Sequence, residues 1–139
     1  MQIEERFSVA APRQRVWDVS VDIARWPEWN PTVDRVEVRT PGPMRTGWTA
    51  RLKQPGNAPG TWTVTRVEEP GLFEWETRTL GMVVTARHVL ADAGDATDVT
   101  LSIDVTGPAT FLFGWIVARV SRKFLPMEAA GLRAECERA

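Results

Sequence analysis

The chain has 139 residues, 43% of them hydrophobic and 25% charged, with a formal net charge of −1. That length suits one domain, 1–139, able to bury a real core, and the interspersed acids and bases leave no basic stripe for nucleic acid. No apolar run approaches the roughly 18 residues of a spanning helix, no signal region opens the chain, and a single cysteine, Cys136, allows no internal disulfide, so a cytoplasmic protein with no stable membrane insertion is expected.

Residues 2–9 alternate, with Ile3, Glu5, Phe7 and Val9 on one face, and predict a strand. Pro12 then opens a helix over 13–21 that carries Val16, Trp17, Val19 and Ser20 at helical spacing. Asp22 is placed to cap a second short turn over 23–25. Pro27 and Pro31 stop any continuing regular helix, so the run Trp-Pro-Glu-Trp-Asn-Pro over 26–31 reads as a rigid aromatic connector.

From Val33 onward short alternating segments follow one another. Val36 and Val38 share a face, as do Trp48, Ala50 and Leu52, then Trp62 and Val64, then Phe73 and Trp75. Met82, Val84, Ala86, His88 and Leu90 form the longest set, and Val99, Leu101, Ile103 and Val105 the last. Turn clusters at 41–47, 55–60, 69–71 and 92–95 separate them. One apolar and one polar face per strand, with short connections, predicts an antiparallel sheet of about seven strands.

Gly107-Pro108 ends the last strand and opens the only segment long enough for a major helix. Its first turns, 109–120, are apolar on nearly every side, which predicts burial all round. Pro126 removes a backbone donor and crowds the carbonyl of Arg122. A kink or break is therefore expected near 122–125, dividing a cavity roof over 110–120 from a packing segment over 127–136. The fold class is α+β. A twisted sheet presents a concave face that one helix, about 10 Å wide, does not fill. An apolar cavity for a small molecule is expected between them.

Val9-Ala10-Ala11-Pro12 ahead of Val16-Trp17-Asp18, then Asp22 and Arg25-Trp26-Pro27-Glu28-Trp29-Asn30-Pro31, resembles the N-terminal signature of the polyketide cyclase/dehydrase-like branch of the START/Bet v 1-like (SRPBCC) superfamily. Thr97-Asp98-Val99-Thr100, Gly107-Pro108 and Glu128-Ala129-Ala130-Gly131-Leu132 are similar to its later landmarks, in the same order along the chain. The resemblance implies the helix-grip fold: a seven-stranded antiparallel curved sheet gripping a long C-terminal helix around a deep cavity, with two short helices after the first strand. It implies lipids, sterols, polyketides or other aromatic molecules as ligands. It leaves catalysis open, because most such proteins bind ligands and only some turn them over.

Strand parity and helix position select the candidate site residues. His88, the only histidine, points at the inferred cavity and could serve as general acid or base near neutral pH; a buried imidazole bonded to a neighbour is the alternative. Arg119 is a candidate to hold a ligand carboxylate or enolate through its guanidinium, against a snorkelling or surface arginine. Trp48, Trp62 and Trp75 could stack on an aromatic ligand or pack the core. Phe73, Val84, Leu112, Trp115 and Ile116 complete the expected lining. Trp26 and Trp29 read as packing that closes one end of the grip, Glu5 as a candidate inward carboxylate, and Glu74, Glu76 and Arg78 as an outer cross-strand charge set. No second catalytic member accompanies His88. Cys136 lies near the chain end, and one histidine without clustered carboxylates makes no metal site.

The expected function is binding of a small hydrophobic ligand, lipid-, polyketide- or aromatic-like, with no cofactor. The alternative is a polyketide aromatase/cyclase or dehydratase working by cofactor-free acid–base chemistry. The absence of any tyrosine and of a partner for His88 counts against it. The surplus apolar residues Phe111, Phe113, Trp115 and Val117 would suit a homodimer interface, a lid or a transient membrane contact.

Overall fold

Period-two alternation builds the sheet, and its clearest case is its longest interior strand. In the computed structural model, which describes residues 1–138, Met82, Val84, Ala86, His88 and Leu90 are all buried while their neighbours are half-buried. This strand, β6 (Met82–Ala93), pairs with β5 (Leu72–Thr79) on one side and β7 (Ala96–Thr106) on the other. The remaining strands are β1 (Gln2–Val9), β2 (Arg35–Val38), β3 (Thr49–Lys53) and β4 (Gly60–Glu68). All seven form one antiparallel sheet in the order β1-β7-β6-β5-β4-β3-β2. β2 to β7 is a meander of adjacent strands, and β1 closes against the last of them. On the outer face Glu74 pairs with Arg87, its register partner on β6.

The link from β1 to β2 must cross from one sheet edge to the other, and the early helices do this. α1 (Arg13–Val21) buries Val16, Trp17 and Ser20. The Trp17 ring stands edge-on to Phe73 at 6.1 Å, and its indole N–H donates to Glu69 Oε1 at 3.1 Å, tying the helix to the β4–β5 turn. A 3-10 turn over Ile23–Arg25 follows, with no capping hydrogen bond from the Asp22 side chain. The expected stiff connector is itself one helical turn, α2 (Trp26–Trp29). Pro27 fits there because the first turn of a helix needs no N–H from it.

The long helix α3 (Thr110–Glu137) differs most from expectation. It runs unbroken through Pro126 rather than in two parts. It is also not buried all round. Its inward stripe is Gly114, Ala118, Ser121, Leu125, Ala129, Leu132 and Cys136. Phe111, Leu112, Trp115 and Ile116 lie outside it, 82%, 54%, 62% and 38% exposed. Over the first half the fully buried residues are small, and Phe111, Leu112 and Trp115 face away.

Two glycines mark close approaches that set the helix in place. A β-carbon on Gly131 would lie 2.3 Å from the Trp29 carbonyl oxygen, so α3 rests directly on the backbone that leaves α2. At Gly107, where β7 gives way to α3, φ is +108° and a β-carbon would meet the Gly81 carbonyl at 2.9 Å. Both positions need the missing side chain.

Candidate functional site

The first half of α3 does not fill the concave sheet beneath it. A cavity of about 380 Å³ remains, within the range typical of small-molecule sites. Its walls come from β3–β7 (Leu52, Trp62, Trp75, Val84, Ala86, Ile103) and from α3 (Ile116, Val117, Val120, Ser121, Phe124, Leu125). Exposed residues of the β3–β4 loop, Asn57, Ala58 and Pro59, together with Leu80 at the β5–β6 turn, form its mouth.

The inner wall is aromatic. Trp62 lies against Trp75 at 5.2 Å and Trp75 against Trp26 at 5.4 Å. Trp26 continues to Trp29 at 5.7 Å and is anchored by its indole N–H donating to the Ser20 carbonyl at 3.0 Å. His88 stands behind this wall, stacked on Phe73 at 4.3 Å with Trp26 at 5.6 Å on another side. Apolar rings around an imidazole penalise its charged form. Burial holds the His88 pKa down at about 3.

Opposite His88, and also lining the cavity, is Glu128 of α3. Its Oε1 lies 3.6 Å from His88 Nε2, and only 12% of its side chain is exposed. Burial pushes the Glu128 carboxyl up to about 7, with the Asn30 amide working against that rise. Asn30 is itself oriented: its Oδ1 accepts from the Thr32 amide at 3.0 Å and the Thr32 hydroxyl at 2.7 Å. That leaves the Asn30 NH₂ group to face the Glu128 carboxyl. Glu128 Oε1, His88 Nδ1 and Asn30 Nδ2 are all buried without a hydrogen-bond partner. Unpaired buried polar atoms are costly, and those of His88 and Glu128, both lining the cavity, suit a polar group on a ligand.

The two pKa values are displaced in opposite directions, so at neutral pH the imidazole is uncharged and the carboxyl sits near its midpoint. Such a pair can pass a single proton to or from a bound molecule. The missing partner of His88 is thus present after all. It lies three residues after Leu125 and four before Leu132, on the buried stripe. That helical spacing is its signal in the sequence.

Of the residues expected to line a ligand site, Trp62, Trp75, Val84, His88 and Ile116 meet at the cavity. Trp48 is buried away from it, its indole N–H donating to the Gly42 carbonyl at 3.2 Å. Phe73 is fully buried as the platform behind His88. Leu112, Trp115 and Arg119 are exposed on the outer side of α3, because the phase of that helix is set by its small residues. Glu5 is half-buried on β1, outside the cavity lining. Cys136, near the chain end, is buried on the inward face of α3, and burial pushes its thiol up to about 12, away from the reactive thiolate. Trp26, Asn30 and Thr32, from the connector and the residues just after it, contribute more to the site than the end-closing role expected of that segment. Among the described residues no group of three His, Cys, Asp or Glu side chains could hold a metal ion, and no helix is long and apolar enough to cross a membrane.

No curated protein matches the sequence significantly. Solved structures do match the fold. The Zhui aromatase/cyclase from Streptomyces sp. R1128 superposes with a TM-score of 0.80 at 19% identity, over 99% of this chain and 94% of that one. A START superfamily protein from Mycobacterium smegmatis gives 0.79 at 18%, over 98% and 97%. Truncated norcoclaurine synthase from Thalictrum flavum gives 0.80 at 15%, over 100% and 94%. These likenesses establish the helix-grip architecture. The family model described as polyketide cyclase/dehydrase and lipid transport matches residues 1–137. With the sheet, the gripping helix and the cavity between them all in place, the chain belongs to that polyketide cyclase/dehydrase and lipid transport family.

Proposed function

We propose that the protein binds a small hydrophobic molecule, aromatic or polyketide-like, in the cavity between the sheet and α3. One observation carries this reading: an apolar, tryptophan-walled space of about 380 Å³ ends on a buried His88–Glu128 pair with unpaired polar atoms. Burial of apolar area supplies affinity at roughly 25 cal/mol per Å² before ordering costs, and the polar pair orients the ligand. Native mass spectrometry of the purified protein, with fluorescence titration by anilinonaphthalene sulfonate, tests it. A co-purified ligand or saturable probe binding is expected. Ala86→Phe, which fills the cavity from β6, should abolish both. Probe binding unchanged in that variant would place the site elsewhere and overturn the proposal.

A second reading has its own observation. His88 and Glu128 have pKa values moved apart, one group toward a neutral base and the other toward an acid at neutral pH. This arrangement suits cofactor-free proton transfer, such as removal of an acidic α-proton from a poly-β-ketone and return of a proton to oxygen. The Zhui protein, a fold neighbour, is named an aromatase/cyclase. Glu128→Gln keeps shape and removes the titrating proton. Lost turnover with ligand affinity retained would support an enzyme; unchanged turnover would rule the pair out as its acid–base machinery.

A further inference from the structure

The outward face of α3 carries two successive bands. Phe111, Leu112, Trp115 and Ile116, one cluster at helical spacing, are exposed apolar residues. The following turns of the same face bring Arg119, Arg122 and Lys123, all exposed. None of the three makes an ion pair among the described residues. Leu80, 61% exposed, lies alongside, because its neighbour Gly81 accepts a hydrogen bond from the Ala109 amide at 3.4 Å. Leu80 and Ile116 also line the cavity. The apolar band is therefore continuous with the cavity mouth.

The charge around this mouth is one-sided. Segments 54–61, 77–82 and 106–127, which border it, contain no Asp or Glu, although the whole chain has a net charge of −1. Exposed aromatics flanked by cations are the composition of an interfacial helix: aromatic rings settle at headgroup depth and cations meet anionic headgroups. A two-fold contact between these faces would offer the cations no acidic partner, because 106–127 contains no Asp or Glu. A bilayer needs no matching groove, only apolar depth and negative charge.

We propose that this end of the molecule docks peripherally on an anionic lipid bilayer, with the Phe111–Trp115 band in the interface and the cavity mouth facing the acyl chains. The bilayer would then be the source or the destination of an apolar ligand. Docking does not require the cavity to be occupied, so it is measured separately from ligand binding.

The test is co-sedimentation of the full chain with vesicles of phosphatidylcholine alone and of phosphatidylcholine mixed with phosphatidylglycerol, at low and high salt. Binding to the anionic vesicles, weakened by salt, is expected, with a blue shift in emission from the exposed Trp115. The triple variant Arg119→Gln, Arg122→Gln, Lys123→Gln should bind them about 100-fold more weakly, at about 1 kcal/mol per cation. Phe111→Ser with Trp115→Ser should lose about tenfold or more. These sites are exposed, and circular dichroism should show each variant folded. A wild-type protein that stays in the supernatant with anionic vesicles at low salt overturns the proposal. So does binding that neither variant weakens, or a stable dimer in sedimentation velocity that the aromatic variant dissociates. Capture by an acidic protein without vesicle binding would assign the face to that partner and overturn it equally.

Discussion

The two halves of α3 are built in opposite senses. Over 110–123 the fully buried residues are small, Gly114, Ala118 and Ser121, while Phe111, Leu112 and Trp115 turn out and Val117 and Val120 are half-buried at the cavity. Over 125–136 Leu125, Ala129, Leu132 and Cys136 pack inward in the ordinary way, with one carboxyl, Glu128, among them. The first half spans a cavity and the second half seals its inner end. The cavity-facing residues of the first half, Ile116, Val117 and Val120, line the space without filling it. Function thus explains the inverted half, and stability the conventional one.

The comparison is broken or sharpened most strongly by truncation in the sealing half. Leu132 is fully buried, and Leu132→Ala should cost about 2–5 kcal/mol in chemical denaturation. A loss below about half a kcal/mol would mean that this half does not seal the core. Gly131→Ala comes next. The new methyl would meet the Trp29 carbonyl, which belongs to backbone and cannot swing aside, so about 1–3 kcal/mol is expected. Asn30 lies just beyond, so ligand affinity should fall too; a stable variant with native affinity would deny the close contact its role.

The buried pair offers a third test through pH. His88 is held at about 3 against an ordinary 6.5, and Glu128 is raised to about 7 against an ordinary 4.5. Between pH 4.5 and 6.5 the unfolded chain binds more proton at His88 and less at Glu128 than the folded chain does. The two slopes oppose, and wild-type stability should be nearly flat there. In Glu128→Gln only His88 remains, so stability should fall as pH drops below 6.5 toward 3. In His88→Phe only Glu128 remains, so stability should fall as pH rises from 4.5 toward 7. Amplitudes on the order of 1–3 kcal/mol are expected from urea denaturation at a series of pH values. Parallel profiles in the two variants would show that these groups do not titrate as a buried pair.

The smallest effect belongs to the outward band. Phe111→Ser and Trp115→Ser should leave thermal stability unchanged within about 0.5 kcal/mol, because exposed side chains lose little on truncation. A large loss would show that this band is covered in solution and would erase the contrast between the halves.

Much of this architecture is legible without coordinates. The β6 alternation identified its buried face, and with it His88, because a strand's period is local and each side chain's face follows from its neighbour's. Trp26–Pro31 stood out for its prolines and aromatics, yet its contribution to the cavity was hidden: Trp26 reaches Trp75 and His88 only through the folded crossing from β1 to β2. Arg119 and Trp115 misled for a related reason. A helix apolar on many sides carries no clear phase, so the stripe that turns inward cannot be chosen from hydropathy.

By itself, then, the sequence determined the strands, their turns, the α+β class and the family likeness, all of which rest on short-range periods and turn chemistry. The tertiary structure alone decided how α3 is rotated against the sheet. Close contacts far apart in sequence set that rotation, Gly131 on Trp29 and Gly107 on Gly81. It leaves the cavity open beneath Ile116, Val117 and Val120 and brings Glu128 to His88 from a helix 40 positions further along the chain.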